Sequence, residues 1–228
     1  MQNTTLPEWE RVLASAAHLQ RVLPDAVLVG GTAAAIYADH RRSSDADHVL
    51  VDLRARFDRI LEQLESVAGW RTARIRPPVQ ILGSLDGIET GIRQLIREEP
   101  LETTEVDFLG QKITVPTEAE MLRIKGVLIL KRNATRDYLD FAALSEHAGE
   151  GAACAALEGF DRLYPHANGE SALQQLQIQL ANPMPFDLEE TNLAEYKGLD
   201  QRWQDWGAIQ AVCASISRRL FDATSGIG

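Results

Sequence analysis

Between residues 26 and 53 the chain changes texture repeatedly, and this stretch constrains the fold more than any other. AVLVGG (26–31) is a short apolar, β-branched run stopped by two glycines, the pattern of a buried strand. TAAAIYADH (32–40) follows at once as an alanine-rich helix, then a polar turn, RRSSDA, and a second strand at DHVLVDL (47–53). Strand, helix and strand in such close succession require a sheet with helices packed on it.

The flanking segments fit that frame. Residues 7–22 place Trp9, Val12, Leu13, Ala16, Leu19 and Val22 at helical spacing, with Pro7 suited to a first turn and Pro24 closing the segment. ARFDRILEQLESVAG (55–69) is an amphipathic helix ending at Gly69. WRTARIR, PPVQILGSL and LETTEVDFLGQKITV supply three or four strands, while GIETGIRQLIREE between them reads as a turn or short helix. From Thr117 onward the pattern is helical, through TEAEMLRIKGVLILKR and TRDYLDFAALSEHAG and on to residue 222, broken at PHANG and NPMPFD. The expected fold class is α+β. A small mixed sheet flanked by helices forms a domain over 1–115, followed by a helical domain over 116–228.

With 228 residues, 45% hydrophobic and 25% charged, the chain can bury a sizeable core. A net charge of −10 excludes a general nucleic-acid coat but leaves room for a local basic pocket, for which Arg71, Arg74 and Arg76 are available on one short segment. No apolar run is long enough for a membrane span, and the N-terminus lacks the pattern of a secretory leader, so the cytoplasm is the expected compartment. Cys154 and Cys213 have no metal-binding spacing and read as small buried hydrophobes.

Three pieces carry chemistry. Val29-Gly30-Gly31-Thr32 stands at a strand-to-helix junction, where glycines let a phosphate approach the backbone and the helix start offers free N–H groups. Asp45-Ala46-Asp47 puts two carboxylates on one face of an extended segment, an oxygen-ligand pair suited to Mg²⁺. Asp107, in EVDFLG, offers a third carboxylate on a neighbouring strand, with Glu105 as its competitor on the same face. Each alone also reads blandly: a tight turn, a solvated acidic turn, an exposed strand acid. His40, Arg41 and Arg42 are either a solvated loop or a phosphate clamp, and Lys125 is either a snorkelling helix lysine or a cleft residue. Trp203 and Trp206 read as core.

Taken together, VGGTAAAIYADHRRSSDADHVLVD, EVDFLG and KGVLILKRNATRDYLDFAAL resemble the AbiEii/AbiGii toxin-like family of the DNA polymerase beta nucleotidyltransferase superfamily. His48 and the small Ala46 depart from its usual pattern without removing a ligand. The resemblance implies a polymerase-beta-like nucleotidyltransferase fold and transfer of an NMP from an NTP to an acceptor hydroxyl. Gly30, Gly31, Thr32, Arg42 and Ser43 would hold the nucleotide, and Asp45, Asp47 and Asp107 would hold Mg²⁺ or Mn²⁺ and do catalysis. Lys125 would contact phosphate, with Arg136, Asp137 and Asp140 forming a later charged motif in which Asp137 also serves the nucleotide. The acceptor would be a tRNA end or a protein side chain, with an antitoxin protein as partner in a toxin–antitoxin pair. Two alternatives stand beside this: a small-molecule nucleotidyltransferase of the aminoglycoside-modifying kind, and a non-catalytic binding module on the same fold.

Overall fold

The computed structural model describes residues 8–225; Pro7 lies outside them. The elements in order are α1 (Glu8–Val22), β1 (Val27–Leu28), α2 (Gly30–Ala38), β2 (Asp45–Leu50), α3 (Leu53–Glu65), β3 (Trp70–Arg76), β4 (Gln80–Leu85), β5 (Ile88–Gln94), β6 (Thr103–Phe108), β7 (Gln111–Pro116), α4 (Glu118–Arg132), α5 (Thr135–Ala148), α6 (Glu150–Ala156), α7 (Phe160–Leu163), α8 (Ala172–Ala181) and α9 (Trp206–Ser225). The class is α+β, as the sequence pattern predicts. The chain divides into two compact units. One holds the chain up to Ala33 together with Ser43–Thr117, the other Ala34–Arg42 together with the chain from Glu118 onward.

In the first unit a five-stranded mixed sheet runs in the order β1-β2-β5-β4-β3, and β6 and β7 form a separate two-stranded ribbon. Among the described residues only β2 and β5 pair in parallel. The segment 88–94, expected as a turn or short helix, is therefore the central strand β5. Gly87 just before it and Gly91 within it suggest a turn locally, but its parallel partner β2 lies elsewhere in the chain. One face of the sheet is apolar: Leu50, Ile92, Ile81, Leu85 and Trp70 pack with Leu19 of α1, Leu23 just after it, and Phe57, Ile60 and Leu64 of α3 into one buried cluster. Strand alternation sends β2 residues 46, 48 and 50 into that core and leaves 45, 47 and 49 half-buried on the other face.

The second unit is helical. α4 packs on α5, and α9 on both α5 and α8. Gly126 of α4 is a close-approach point, since a Cβ there would lie 2.8 Å from Leu176 Cδ2. Trp203 is buried, as expected for core. Cys213 is buried and Cys154 is half-buried, and both are free thiols. Among the described residues no helix is long and apolar enough to cross a membrane.

Candidate active site

The acidic pair is held from below by its own strand. The amide N–H of Val29 donates to the Asp47 carbonyl at 2.8 Å, and the Thr32 hydroxyl donates to the Asp45 carbonyl. Thr32 is 1% exposed, so its side chain fixes β2 rather than standing free to meet a phosphate. Ser43, also buried, donates its hydroxyl to Asp45 Oδ1 and orients that carboxylate. The Ala46 carbonyl accepts from the Thr90 hydroxyl and from His48 Nδ1, the latter at 2.9 Å. Burial pushes the His48 imidazole down to about 4 against a smaller upward pull from that carbonyl, so it is neutral at pH 7. The two departures from the family pattern, Ala46 and His48, thus both serve the packed underside of the strand.

Gly30 and Gly31 open α2. Gly30 has φ +78, in the left-handed region, and a Cβ there would lie 3.7 Å from Asp47 Cβ. A helix start beside an acidic pair gives one locality both free backbone N–H groups and carboxylate oxygens.

The face above β2 contains residues that local reading missed. Parallel register sets Asp45 opposite Glu89 and Asp47 opposite Gly91, and residues paired in register point to the same side of the sheet. Glu89 is exposed and shares the open face with Asp45. Gly91 keeps space clear, because a Cβ there would stand 3.1 Å from Asp47 Oδ1 and 2.5 Å from Leu82 Cδ2. Arg93, two residues further on, brings its Nη2 within 3.7 Å of Asp47 Oδ1. The signal for all three was the parallel pairing of β5 with β2, which no local pattern carries.

Asp107 is elsewhere. It lies exposed on β6 in the two-stranded ribbon, accepts from the Gly110 N–H at 3.2 Å and pairs in register with Lys112. The strands hydrogen-bonded to β2 are β1 and β5, so the expectation that Asp107 sits on a strand next to the acidic pair is corrected. Glu105, its competitor, forms an ion pair with Lys112 at 2.6 Å.

The later charged motif forms a cluster inside the helical unit. Asp140 is fully buried and accepts from His40 Nε2 at 2.7 Å and from Arg41 Nε and Nη2 at 2.7 and 3.0 Å, and Lys125 Nζ lies 2.7 Å away. Burial alone would raise the Asp140 carboxyl, but the charges of Arg41 and Lys125 and the bonds from His40 and Arg41 outweigh it and hold it well below the usual carboxylate range. Lys125, 2% exposed, also sits 3.4 Å from Asp137, which Arg132 meets at 3.0 Å. Arg41, Lys125, Asp137 and Asp140 are thus brought together, as buried ion pairs rather than an open phosphate grip. Arg136 is exposed, and Arg42 pairs with Asp39.

Residues 11–219 match the family model described as nucleotidyl transferase AbiEii toxin of type IV toxin–antitoxin systems. The chain belongs to the AbiEii family. The solved structures similar to it share its fold. A nucleotidyltransferase candidate from H. pylori superposes with a TM-score of 0.53 at 13% identity, over 98% of this chain and 99% of the other. The antibiotic-resistance factor ANT(2″)-Ia, solved in complex with adenylyl-2″-tobramycin, gives 0.50 at 9% identity over 67% of this chain and 97% of the other. Among curated proteins the chain is 32% identical over 227 residues to the heme uptake protein MmpL11 of Mycobacterium tuberculosis. That match covers 92% of this chain but only 22% of the relative.

Proposed function

We propose that this AbiEii chain transfers a nucleoside monophosphate from a Mg²⁺–NTP to an acceptor hydroxyl with release of pyrophosphate, acting as the toxin of a pair with a protein antitoxin. The observation that carries the reading is the open face above β2, where Asp45, Asp47 and Glu89 stand together beside the glycine-led start of α2. Among the described residues no three acidic or His/Cys side chains are already drawn into a metal-holding cluster. That fits Mg²⁺, which is held by one or two carboxylates plus substrate phosphates rather than by a complete protein cage. The space kept by Gly91 next to Asp47 Oδ1 suits the same arrangement. Asp45 and Asp47 would hold the ion, which supplies charge stabilisation for the phosphoryl oxygens when bound.

The chain's own groups do the rest. The Gly30 and Gly31 backbone lies against the triphosphate, Arg93 offers it a guanidinium, and Ser43 and Thr32 keep the acidic pair in place. Glu89, rather than Asp107, takes the proton of the acceptor hydroxyl, because it lies on the strand that flanks β2. Lys125, Asp137 and Arg42 serve the nucleotide only indirectly, by holding their segments in place.

Purified protein with Mg²⁺, each labelled NTP and a total RNA and protein extract reveals the acceptor as the species that gains label. In that assay Glu89→Gln costs at least ~10²-fold in turnover, the lower end of general-base effects, and Asp107→Asn costs little. The opposite ranking would return the base to Asp107.

A further inference from the structure

Arg93 stands closer to the acidic pair than its place in the sheet requires. In register it lies opposite Val49 on β2 and Gln80 on β4, both uncharged. Asp47 is two positions back along β2, about 7 Å. The guanidinium nevertheless leans to Asp47, past Gly91, where a Cβ would stand 3.1 Å from the same Oδ1. The contact is loose. Nη2 and Oδ1 are 3.7 Å apart, beyond a direct hydrogen bond, and the two side chains are 43% and 28% exposed. Arg41 on Asp140, by contrast, makes two bonds at 2.7 and 3.0 Å. An ion pair as open as that of Arg93 adds little to the stability of a fold. It does set a positive charge against an oxygen that the transfer reading gives to Mg²⁺.

We propose that Arg93 is a placeholder for the cation: it faces Asp47 in the free chain, opposes a divalent ion that arrives alone, and passes to the triphosphate when ion and nucleotide arrive together. This deepens the transfer reading, on which it rests, by naming how that site is regulated. The charges decide the order. Asp45 and Asp47 repel one another, and Arg93 offsets part of that repulsion while no ion is bound. A divalent ion on Asp47 would displace this offset and meet the guanidinium a few ångströms away, cation against cation. A triphosphate removes the conflict. Its oxygens take the planar fork of the guanidinium in two parallel bonds and join the ion as further ligands. Ion and nucleotide thus raise each other's affinity, by the same factor in either order of binding. Arg93 enlarges that factor by weakening the state with the ion alone. An arginine that only touched triphosphate would strengthen nucleotide binding and leave the ion-only state as it was.

The test is Mn²⁺ binding to the full chain, read from the electron paramagnetic resonance signal of the free ion. It is measured without nucleotide and with the α,β-methylene analogue of each NTP, whose bridge prevents transfer, so the readout is binding and not turnover. Wild type should bind Mn²⁺ at least about fivefold tighter with an analogue it accepts, the lower end of coupling between linked sites. Arg93→Gln should bind Mn²⁺ alone about fivefold tighter than wild type and gain correspondingly less from the analogue. Arg93→Lys keeps the charge and loses the fork, so its ion-only affinity should stay near that of wild type while its hold on the analogue weakens. The site is exposed on one side, and circular dichroism checks that both variants keep the fold. Arg93→Gln that binds Mn²⁺ alone no better than wild type overturns the inference, even if it loses the analogue. Asp47→Asn judges the transfer reading separately and should lose Mn²⁺ in both conditions. If it binds Mn²⁺ and analogue as well as wild type, the carboxylates do not hold the ion and both readings fall. If it loses the ion while Arg93→Gln behaves as wild type, only the placeholder role falls.

Discussion

Asp140 shows how a buried charge is tolerated. A lone carboxylate at that depth would be strongly disfavoured, and three cationic or donor groups meet it instead: Arg41, Lys125 and His40. Replacing it with Asn leaves Arg41 and Lys125 short of a counter-charge inside the unit, and the expected loss is about 3–5 kcal/mol by urea unfolding at pH 7. The pH dependence follows from the downward shift. The unfolded carboxyl titrates near 3.9, so the pairing contributes fully above that pH and is lost as pH falls through the lower folded value. The gap between wild type and Asp140→Asn should be constant from pH 7 to about 5 and narrow progressively below about 4. A gap as wide at pH 3 as at pH 7 would show that the cluster stabilises by shape rather than charge. The residue types of this motif were legible in KGVLILKRNATRDYLDFAAL. Their burial was not, because Lys125 and Asp140 come from different helices and His40 and Arg41 from the segment after α2, positions that meet only in the tertiary fold.

At the scale of elements, local pattern was a good guide where neighbours in sequence are neighbours in space. The strand at 45–50 and the helix before it were legible, since alternation and the glycine pair are local signals. β5 was not. GIETGIRQ has two glycines and little apolar run, and it becomes a strand because β2 and β4 hydrogen-bond to both its edges. The misplacement of Asp107 has the same origin: EVDF does form a strand, but membership of a sheet is not written in the strand. The β6–β7 ribbon is instead tied to α1 through the side chains of Arg21, which donates to the Gln111 amide oxygen, and Gln20. The Gln20 amide donates to the Thr114 carbonyl at 2.8 Å and accepts from the Thr114 N–H at 2.7 Å, standing in for a strand neighbour. Gln20→Ala leaves both backbone groups without that partner at a largely buried position. The expected cost is about 1–3 kcal/mol in chemical unfolding, whereas Gln20→Glu, which keeps an acceptor but loses the donor, falls between.

At the scale of the molecule, the chain passes from one compact unit to the other at 33/34, 42/43 and 117/118, so neither is a simple run of sequence. The acidic pair belongs to the first unit, and its design predicts how ligand binding should register in the stability of the whole chain. Ser43 donates to Asp45 and Arg93 stands near Asp47, so the mutual repulsion of the two carboxylates is already partly offset. Asp45→Asn and Asp47→Asn should therefore change thermal stability in EDTA by no more than about 0.5 kcal/mol, as for ordinary surface substitutions. With Mg²⁺ and NTP the result should separate. A ligand bound only by the native state stabilises by mass action, about 2.7 kcal/mol at a hundredfold excess over Kd. Wild type should gain that increment, and the two variants, lacking an oxygen ligand for the ion, should not. Two measurements bear on different claims. If NTP stabilises wild type equally in EDTA, nucleotide binds without the ion and the metal-dependent reading is wrong. If both variants gain as much as wild type with Mg²⁺ present, the carboxylates above β2 do not hold the metal, and the site must be sought elsewhere in the chain.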